Sequence, residues 1–491
     1  MSDTITRPFV AVQIGAVSFV DEGVTPVLDI LQERARVNAL LLANPTWTRG
    51  TGGRQVPGQP FPDHGAQEPD DFRGGAYNRT DPRWYARTAI SPEYGHTDPE
   101  IPAGFDLFEA VLPEAQRRGI RSYAWMEESS NSRHLHAVPN FTKSLELDVW
   151  GRPSNKPCFR NPDYRWWILG RMEDYARSWP LAGIVWCSER TGPLNHLLGG
   201  RSRSTARSIA CFCEHCQRAF RERGYDPRRG VQGYRELYDW YERAGSGAGA
   251  GGTGGRRGAR GASPASGSPF PDGAFISFWR LLLAYPEILA WEKLWSDGQH
   301  QLSREIYGTV KAADPAKEVG VHVYHELSFS PWYRAEQDYA DLRQYHDWLK
   351  PVIYNNCAGP RFHRFVANLC RALFGDASPA EVYPLMLRLL NLDEAPYEEL
   401  PTAGFSADYV RRETERAVRG VNDEIPIYPG IDIDIPTEEG ESNCTPEGVR
   451  DAVKAAFAGG AKGVVLSRKY SEMRLNNLGG AGQALRELGY A

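Results

Sequence analysis

Short apolar runs alternate along this chain with longer segments in which apolar residues recur every three or four positions. The first pattern is typical of buried strands and the second of amphipathic helices. Eight runs predict strands, at residues 9–15, 37–43, 120–126, 182–188, 319–325, 351–356, 425–431 and 462–468. Strands that alternate with helices indicate βα units and a parallel sheet. Eight such units predict an α/β fold, a (β/α)8 TIM barrel that takes in residues 1–491 as a single domain.

Two segments interrupt this alternation. Residues 44–119 are rich in Gly, Pro, Asp and His, which predicts a long insertion after strand 2. Residues 190–275 form a second insertion between strands 4 and 5, with a Cys-rich part and a Gly-rich part. Within it, residues 245–269 carry few apolar side chains, so we expect a disordered linker there. The linker has three arginines and no aromatic residue for base stacking, which disfavours nucleic-acid binding.

Composition is that of an ordinary globular protein. Of 491 residues, 41% are hydrophobic and 24% are charged, and the net charge is −5. A charge this small favours neither nucleic acid nor an anionic membrane as a partner. The N-terminus shows no secretory signal, and no uncharged apolar run reaches the ~18 residues of a membrane span. We therefore expect a cytoplasmic protein whose thiols stay reduced. A homo-oligomer is compatible with the sequence.

Three cysteines stand in a C-x-C-x-x-C spacing, at Cys211, Cys213 and Cys216. Tetrahedral zinc takes four ligands, and Cys158, in a polar loop before strand 4, can supply the fourth. Cys187, inside an apolar strand, and His215, inside the motif, are the competing ligands. The sequence predicts a structural zinc ion, and a metal-free thiol cluster or redox chemistry remain as alternatives. A site closed by four thiolates has no open position, so such an ion would brace a loop.

Polar side chains gather where the predicted strands end, which is the face on which barrel enzymes place their active sites. Strand 4 ends at Glu189. In strand 5, His322 and Glu326 alternate with valines, and in strand 7, Asp432 and Asp434 alternate with isoleucines. Alternation places these polar residues on the interior face. Carboxylates on one buried face are costly unless they bind a partner, so this pattern predicts a catalytic carboxylate site.

The same strand ends carry aromatic and charged residues that suit a polyhydroxylated ligand. Sugar hydroxyls bind charged groups, and the apolar faces of sugar rings stack on aromatic rings. The predicted substrate-binding residues are Trp125, Glu127, His322, Tyr324, Asn356, Arg361, Arg468 and Tyr470. No Gly-rich phosphate loop follows strand 1, and we expect no organic cofactor. The expected partner is a carbohydrate or a glycoconjugate substrate.

The stretch "CFCEHCQRAFRERGYD", which follows the strand-4 glutamate, resembles the zinc-binding loop of the family 42 glycoside hydrolases, the retaining β-galactosidase barrels, and of related barrel hydrolases. The resemblance is specific over residues 187–225. It implies a zinc ion held by this motif and one upstream cysteine, and Glu189 as the acid/base residue. Ser188 stands where the family has Asn, and strand 7 lacks the family's nucleophile glutamate. The resemblance therefore implies a relative with a different substrate.

We expect a glycoside hydrolase-like enzyme in which Glu189 protonates the leaving oxygen. Asp434 is the first choice for the second carboxylate, with Asp432 and Glu326 as alternatives. The short Asp side chain favours the wider carboxylate gap of inverting enzymes. Two other functions remain open. One is a metal-dependent sugar isomerase or lyase with the cation held by "HVYHE" and "DID". The other is a carbohydrate-binding barrel without catalysis.

Overall fold

Eight parallel strands form the centre of the protein in this computed structural model, which describes residues 7–44, 62–65, 75–92, 95–96, 101–128, 138–199, 209–247 and 269–490. The strands are β1 Phe9–Ile14, β2 Ala39–Ala43, β3 Arg121–Glu128, β4 Gly183–Ser188, β5 Glu318–Val323, β6 Trp348–Pro351, β7 Gly430–Asp432 and β8 Gly463–Lys469. They pair in the order β6-β5-β4-β3-β2-β1-β8-β7. Parallel bridges Leu349–Ile427 and Val352–Gly430 join the two outer strands. The predicted (β/α)8 barrel is confirmed.

Helices surround the strands and bury their apolar faces on them. The α-helices are Ala16–Glu22, Val24–Ala35, Leu107–Arg117, Pro162–Ser178, Pro193–Gly199, Glu214–Glu222, Pro227–Gly247, Ala274–Ala284, Glu287–Ala313, Glu326–Phe329, Pro331–Glu336, Tyr339–Leu342, Asn355–Ala372, Pro379–Leu390, Leu400–Ala403, Ala407–Gly420, Pro446–Ala458 and Leu475–Glu487. Helix Pro227–Gly247 enters the predicted linker, and residues 248–268 lie outside the described residues. Within the described ranges, no single helix is long and apolar enough to cross a membrane, although Ala274–Ala284 and Glu287–Ala313, bent by 80°, meet that test as a pair.

Two strands differ from their predicted positions. β6 begins at Trp348, three residues before the predicted start, and ends at Pro351. The charged Lys350 interrupts the apolar pattern there, so the sequence pattern misses the strand's first residues. β7 begins at Gly430 because Pro426 and Pro429 lie in the predicted strand and cannot donate hydrogen bonds to a neighbouring strand.

Aromatic side chains fill the amino-terminal end of the barrel interior. The Phe9 ring stacks on Tyr428 at a centroid distance of 4.2 Å, and Trp348 lies 5.7 Å from Phe9 and 5.8 Å from Tyr123. Gly320 provides the space for Trp348, since a Cβ at this glycine would lie 2.3 Å from the indole. A ligand therefore reaches the interior from the carboxyl end of the strands.

A buried charge cluster joins β3 and β4 to a hairpin formed by Leu145–Leu147 and Pro153–Pro157. The Arg190 guanidinium lies 2.8 Å from a Glu128 oxygen and 2.6 Å from a Glu146 oxygen. The three side chains are only 3%, 2% and 6% exposed. Glu128 ends β3 and Glu146 lies in the hairpin, so Arg190 links the barrel to this excursion.

The same cluster fixes the backbone on both sides of Glu189. The Ser188 hydroxyl donates a hydrogen bond to Glu128 over 2.7 Å, and Arg190 pairs with Glu128 and Glu146. The Tyr164 hydroxyl donates to the other Glu128 oxygen over 2.5 Å. Both chain neighbours of Glu189 are thus held in place. Arg190 forms its ion pairs with Glu128 and Glu146 and not with Glu189.

Replacement of Arg190 by Met should lower the free energy of unfolding by about 3–5 kcal/mol, because it leaves Glu128 and Glu146 buried without their arginine. Urea denaturation measures the change. The matched control is Arg177→Met, since Arg177 pairs with Glu173 at the surface, where the side chains are 39% and 33% exposed. The control should cost at most about 1 kcal/mol. Equal losses in the two variants would contradict the role of the cluster.

Candidate active site

Glu189 follows β4 directly and lies at the carboxyl end of the barrel. Its side chain is 42% exposed, and its Oε1 accepts a hydrogen bond from His322 Nε2 over 2.9 Å. His322 lies on β5 and is almost fully buried. Val321 and Val323 pack into the outer core on the opposite face of β5. The alternation in this strand therefore brings an exposed carboxylate and a buried imidazole together at the barrel mouth.

Lys350 on β6 contacts the other ring nitrogen of His322. Its Nζ lies 3.2 Å from His322 Nδ1 and 3.0 Å from both Gln13 Oε1 and the Tyr354 hydroxyl. Lys350 is completely buried in the barrel interior. An ammonium group can only donate, so His322 Nδ1 accepts and the imidazole proton resides on Nε2. That proton is the one donated to Glu189.

The surrounding charges keep the Glu189 carboxyl ionised. Burial alone would raise its pKa, but the hydrogen bond from His322 and the charge of His322 when it is protonated, with smaller contributions from His325 and Arg361, outweigh burial and lower the pKa to about 2. Burial and the charge of Lys350 lower the pKa of His322 to about 4. At neutral pH the site therefore combines a carboxylate with a neutral imidazole.

Glu326 lies close to the same region. It begins the short helix Glu326–Phe329 after β5 and is half-buried. Tyr333, buried in the next helix, has its pKa raised first by burial and then by Glu326, with Glu189 a smaller contributor. Both carboxylates thus raise the pKa of one buried phenol.

The two strand-7 aspartates are held by protein groups. Asp432 is 1% exposed and accepts hydrogen bonds from the backbone N–H groups of Cys357 and Ile435 over 3.0 and 2.9 Å. Burial raises the pKa of Asp432. β7 ends at this residue, and the left-handed backbone of Asp434, with φ +58°, ends the predicted alternation. These hydrogen bonds hold the backbone of the loop after β7, so the contacts of Asp432 are structural.

Asp434 turns towards the start of helix Leu475–Glu487. Its Oδ1 lies 2.6 Å from the Arg474 guanidinium and accepts from the Asn477 amide over 2.8 Å. Its Oδ2 accepts from the Arg474 backbone N–H over 2.8 Å. The sequence places Asp434 beside Glu189 as a second carboxylate, whereas the structure joins it to Arg474.

Three predicted substrate-binding residues lie near the mouth. Trp125 faces the barrel interior, and its buried indole N–H has no hydrogen-bond partner among the described residues. Tyr324 is half-buried with its ring 4.4 Å from His325. Arg361 is half-buried on helix Asn355–Ala372, where burial lowers its pKa but the neighbouring Cys357, Glu189 and Asp432 outweigh burial and raise it. The indole, the phenol and the guanidinium are the groups here that suit a sugar.

The other predicted binding residues make contacts within the fold. The Asn356 amide donates to the Ser442 carbonyl over 3.2 Å. Arg468 lies 3.4 Å from Glu472. Tyr470 is completely buried, lies with its ring centroid 4.3 Å from that of His64 and donates a hydrogen bond to Glu22, so the structure covers its ring. The Glu127 side chain lies outside the described residues.

The sequence pattern does not predict three residues of the site, Lys350, Gln13 and Tyr354. The predicted strand 6 starts at Pro351 and so leaves Lys350 out. A lysine within the otherwise apolar "WLKPVI" is the signal that could have found it, since a charge in a buried strand needs polar partners. Tyr354 lies four residues further along the chain and supplies one of these partners.

The four predicted zinc ligands form one buried cluster, Cys158, Cys211, Cys213 and Cys216. Their Sγ atoms all lie within 4.8 Å of one another, and Cys158 Sγ is 3.6 Å from Cys216 Sγ and 3.5 Å from Cys213 Sγ. A tetrahedron with metal–sulfur distances of about 2.3 Å has edges of about 3.8 Å, so the spacing fits a metal ion. His215 contacts Asn161 and Arg218 instead. The cluster could therefore hold a metal.

The cysteine loop packs against the hairpin that carries Glu146. The Phe212 N–H donates to the Leu147 carbonyl over 2.6 Å, and the Trp291 indole donates to the Cys211 carbonyl over 3.1 Å. Cys158 follows the second hairpin strand directly. Thiol cluster, hairpin and buried charges thus form one continuous support beside β4.

No family model matches the sequence, and no curated protein matches it. Solved structures match over nearly all of it. A β-galactosidase from the Antarctic haloarchaeon Halorubrum lacusprofundi is 15% identical with a TM-score of 0.50, and the match covers 98% of this chain and 58% of that one. A β-galactosidase from the psychrophilic Marinomonas ef1 is 12% identical with a TM-score of 0.51, and the match covers 98% and 59%.

A catalytic mutant of a GH42 β-galactosidase from G. stearothermophilus is 11% identical with a TM-score of 0.50, and the match covers 98% of this chain and 57% of that one. This chain thus spans less than two thirds of the length of these neighbours. Identities this low establish a shared architecture. The protein therefore shares its (β/α)8 barrel fold with these β-galactosidases.

Proposed function

We propose that this protein hydrolyses an O-glycosidic bond in a carbohydrate or glycoconjugate with two carboxylates at the barrel mouth. The observation that carries the proposal is Glu189, an exposed carboxylate at the end of β4 whose orientation is fixed by a buried histidine and by two anchored neighbours. Barrel enzymes assemble their active sites at this end. The glycoside hydrolase-like fold supports the same class of reaction.

Glu326 is the second carboxylate that we favour. Asp432 accepts hydrogen bonds from two backbone N–H groups, and Asp434 accepts hydrogen bonds from Arg474 and Asn477. Glu326 is half-buried, and both Glu326 and Glu189 raise the pKa of Tyr333.

The ionisation state of Glu189 decides its role. The sequence predicts that Glu189 is the proton donor, but a donor must carry a proton, and the pKa of this carboxyl is about 2. An ionised carboxylate is the form that a nucleophile or a general base requires. We therefore assign the carboxylate role to Glu189 and the proton donor role to Glu326. Glu326 gives its proton to the leaving oxygen as the glycosidic C–O bond breaks, and Glu189 attacks the anomeric carbon or takes a proton from the attacking water.

Replacement of Glu189 by Gln should lower kcat on chromogenic aryl glycosides at least about 100-fold while sugar binding persists, because the amide keeps the shape but loses the charge. The control is Glu438→Gln, in which a side chain that is 75% exposed is changed and turnover should persist. Sugar binding by the wild type without any hydrolysis would establish the non-catalytic barrel instead.

Azide rescue distinguishes a carboxylate role of Glu189 from a proton donor role. In a Glu189→Gly variant, azide can take the place of an attacking carboxylate and restore turnover of an activated aryl glycoside. We expect a glycosyl azide of inverted anomeric configuration, as replacement of a nucleophile requires. A product of retained configuration would return Glu189 to the proton donor role.

A metal-dependent isomerase or lyase is the second candidate, favoured by the approach of Cys187, Glu189 and His322 donor atoms within 4.8 Å of one another. Lys350 weakens this candidate, since its donation to Nδ1 leaves the proton on His322 Nε2 and no lone pair towards a metal. Glycoside turnover that survives exhaustive EDTA dialysis at an unchanged rate would exclude a catalytic metal.

We also propose that the thiol cluster holds a structural zinc ion. Four buried cysteines, with sulfur spacings close to those of a tetrahedron, match the ligand set of closed zinc sites. Such a site stabilises the loop and leaves the reaction to the barrel mouth.

Replacement of Cys213 by Ser should abolish tight zinc binding and lower the thermal unfolding midpoint, because metal binding contributes directly to folding free energy. Elemental analysis of the wild type should find about one zinc ion per chain. The control is Cys370→Ser, which changes a buried cysteine outside the cluster and should leave the zinc content unchanged. A metal-free wild type would leave the reduced thiol cluster as the correct interpretation.

A further inference from the structure

We propose that Lys350 is a positioning residue that acts through His322: it fixes the imidazole proton on Nε2 so that Glu189 is held as an oriented carboxylate. The inference rests on the proposed hydrolase function for its catalytic consequence, although the Lys350–His322–Glu189 geometry stands by itself. The contacts run in one line from the barrel interior to the mouth, 3.2 Å from Lys350 Nζ to His322 Nδ1 and 2.9 Å from His322 Nε2 to Glu189 Oε1.

Three neutral groups orient the Lys350 ammonium. Gln13, His322 and Tyr354 accept from Nζ at 3.0, 3.2 and 3.0 Å, one for each N–H. With these directions fixed, the imidazole cannot rotate or exchange tautomers without leaving a buried donor unpaired. A lysine placed only to fill space would not need its hydrogens aimed at a histidine.

Gly430 preserves this arrangement from the neighbouring strand. A Cβ at Gly430 would lie 2.8 Å from the Tyr354 ring and 3.0 Å from Lys350 Cε. Tyr354 and Lys350 therefore occupy space that any other residue at position 430 would take. The Trp125 ring centroid lies 6.0 Å from Nζ on another side, within range of a cation–π contact.

Charge balance explains why a buried ammonium can exist here. A lone buried cation carries a large desolvation cost, which a nearby anion offsets. Glu189 supplies a negative charge at the far end of His322, so the neutral imidazole separates a cation in the interior from an anion at the mouth. The charged and titratable groups near Glu189 are His322, His325, Arg361, Lys156, Cys187, Tyr333 and Tyr354, and those near His322 are Lys350, Glu189 and Cys187.

Lys350→Met is the decisive variant, since it keeps the length of the side chain and removes the charge and the donor. Without the cation, the His322 pKa should rise by about 1–3 units from about 4, because only burial then opposes protonation. A protonated His322 draws electron density from Glu189, so the acid limb of kcat/KM should move to higher pH by the same amount. We expect kcat to fall while KM stays close to the wild-type value.

The control is Lys317→Met. Lys317 is also buried, but it donates to the Trp179 and Leu181 carbonyls at the opposite end of the barrel. This variant should lose stability without any shift of the acid limb. A Lys350→Met enzyme with a wild-type pH profile would overturn the proposal.

Nitrogen NMR of the His322 ring tests the same inference without turnover and without a variant. The wild-type protein should show the proton on Nε2 at neutral pH, and a proton on Nδ1 would overturn the proposal even if Lys350→Met fails to fold. Absence of glycoside hydrolysis together with an Nε2–H imidazole would refute the proposed function and leave the role of Lys350 intact.

Discussion

The position of Glu189 depends on a cluster of charges that the protein buries beside it. Arg190 pairs with Glu128 and Glu146, and Ser188 donates to Glu128. Each partner belongs to a different segment, so the cluster joins β3, β4 and the hairpin at one point. Such a cluster tolerates little rearrangement, because removal of one charge leaves the others unpaired in the protein interior, which solvates them poorly. The carboxylate between the anchored residues is therefore held in place before any ligand arrives.

The site itself separates opposite charges through a neutral ring. Lys350 lies in the closed interior, Glu189 lies at the open mouth, and His322 joins them with a donor at one nitrogen and an acceptor at the other. This arrangement sets the charge state of Glu189 without a direct salt bridge, which would occupy the oxygen that a substrate needs. The exposed part of the Glu189 carboxylate remains available at the mouth.

Strand alternation predicts part of this site, and the reasons for its limits are local. It places His322 inside the barrel because β5 is a regular strand throughout, with valines on its outer face. It does not extend to Asp434, since β7 ends at Asp432 and the left-handed backbone of Asp434 redirects the side chain. It misses Lys350, because a charge inside an apolar run resembles the boundary of a strand, and the predicted strand therefore begins after this residue. The cysteine cluster needs no such regularity: the spacing joins Cys211, Cys213 and Cys216, and the structure brings Cys158 to them.

The thiol cluster draws together residues from both sides of one strand. Cys158 precedes β4, whereas Cys211, Cys213 and Cys216 follow it. An ion bound by all four would close a loop of chain around the fourth βα unit, and closure of such a loop removes conformational freedom from the unfolded chain. Metal supply would then influence how readily this part of the barrel assembles during synthesis, well before any substrate is present.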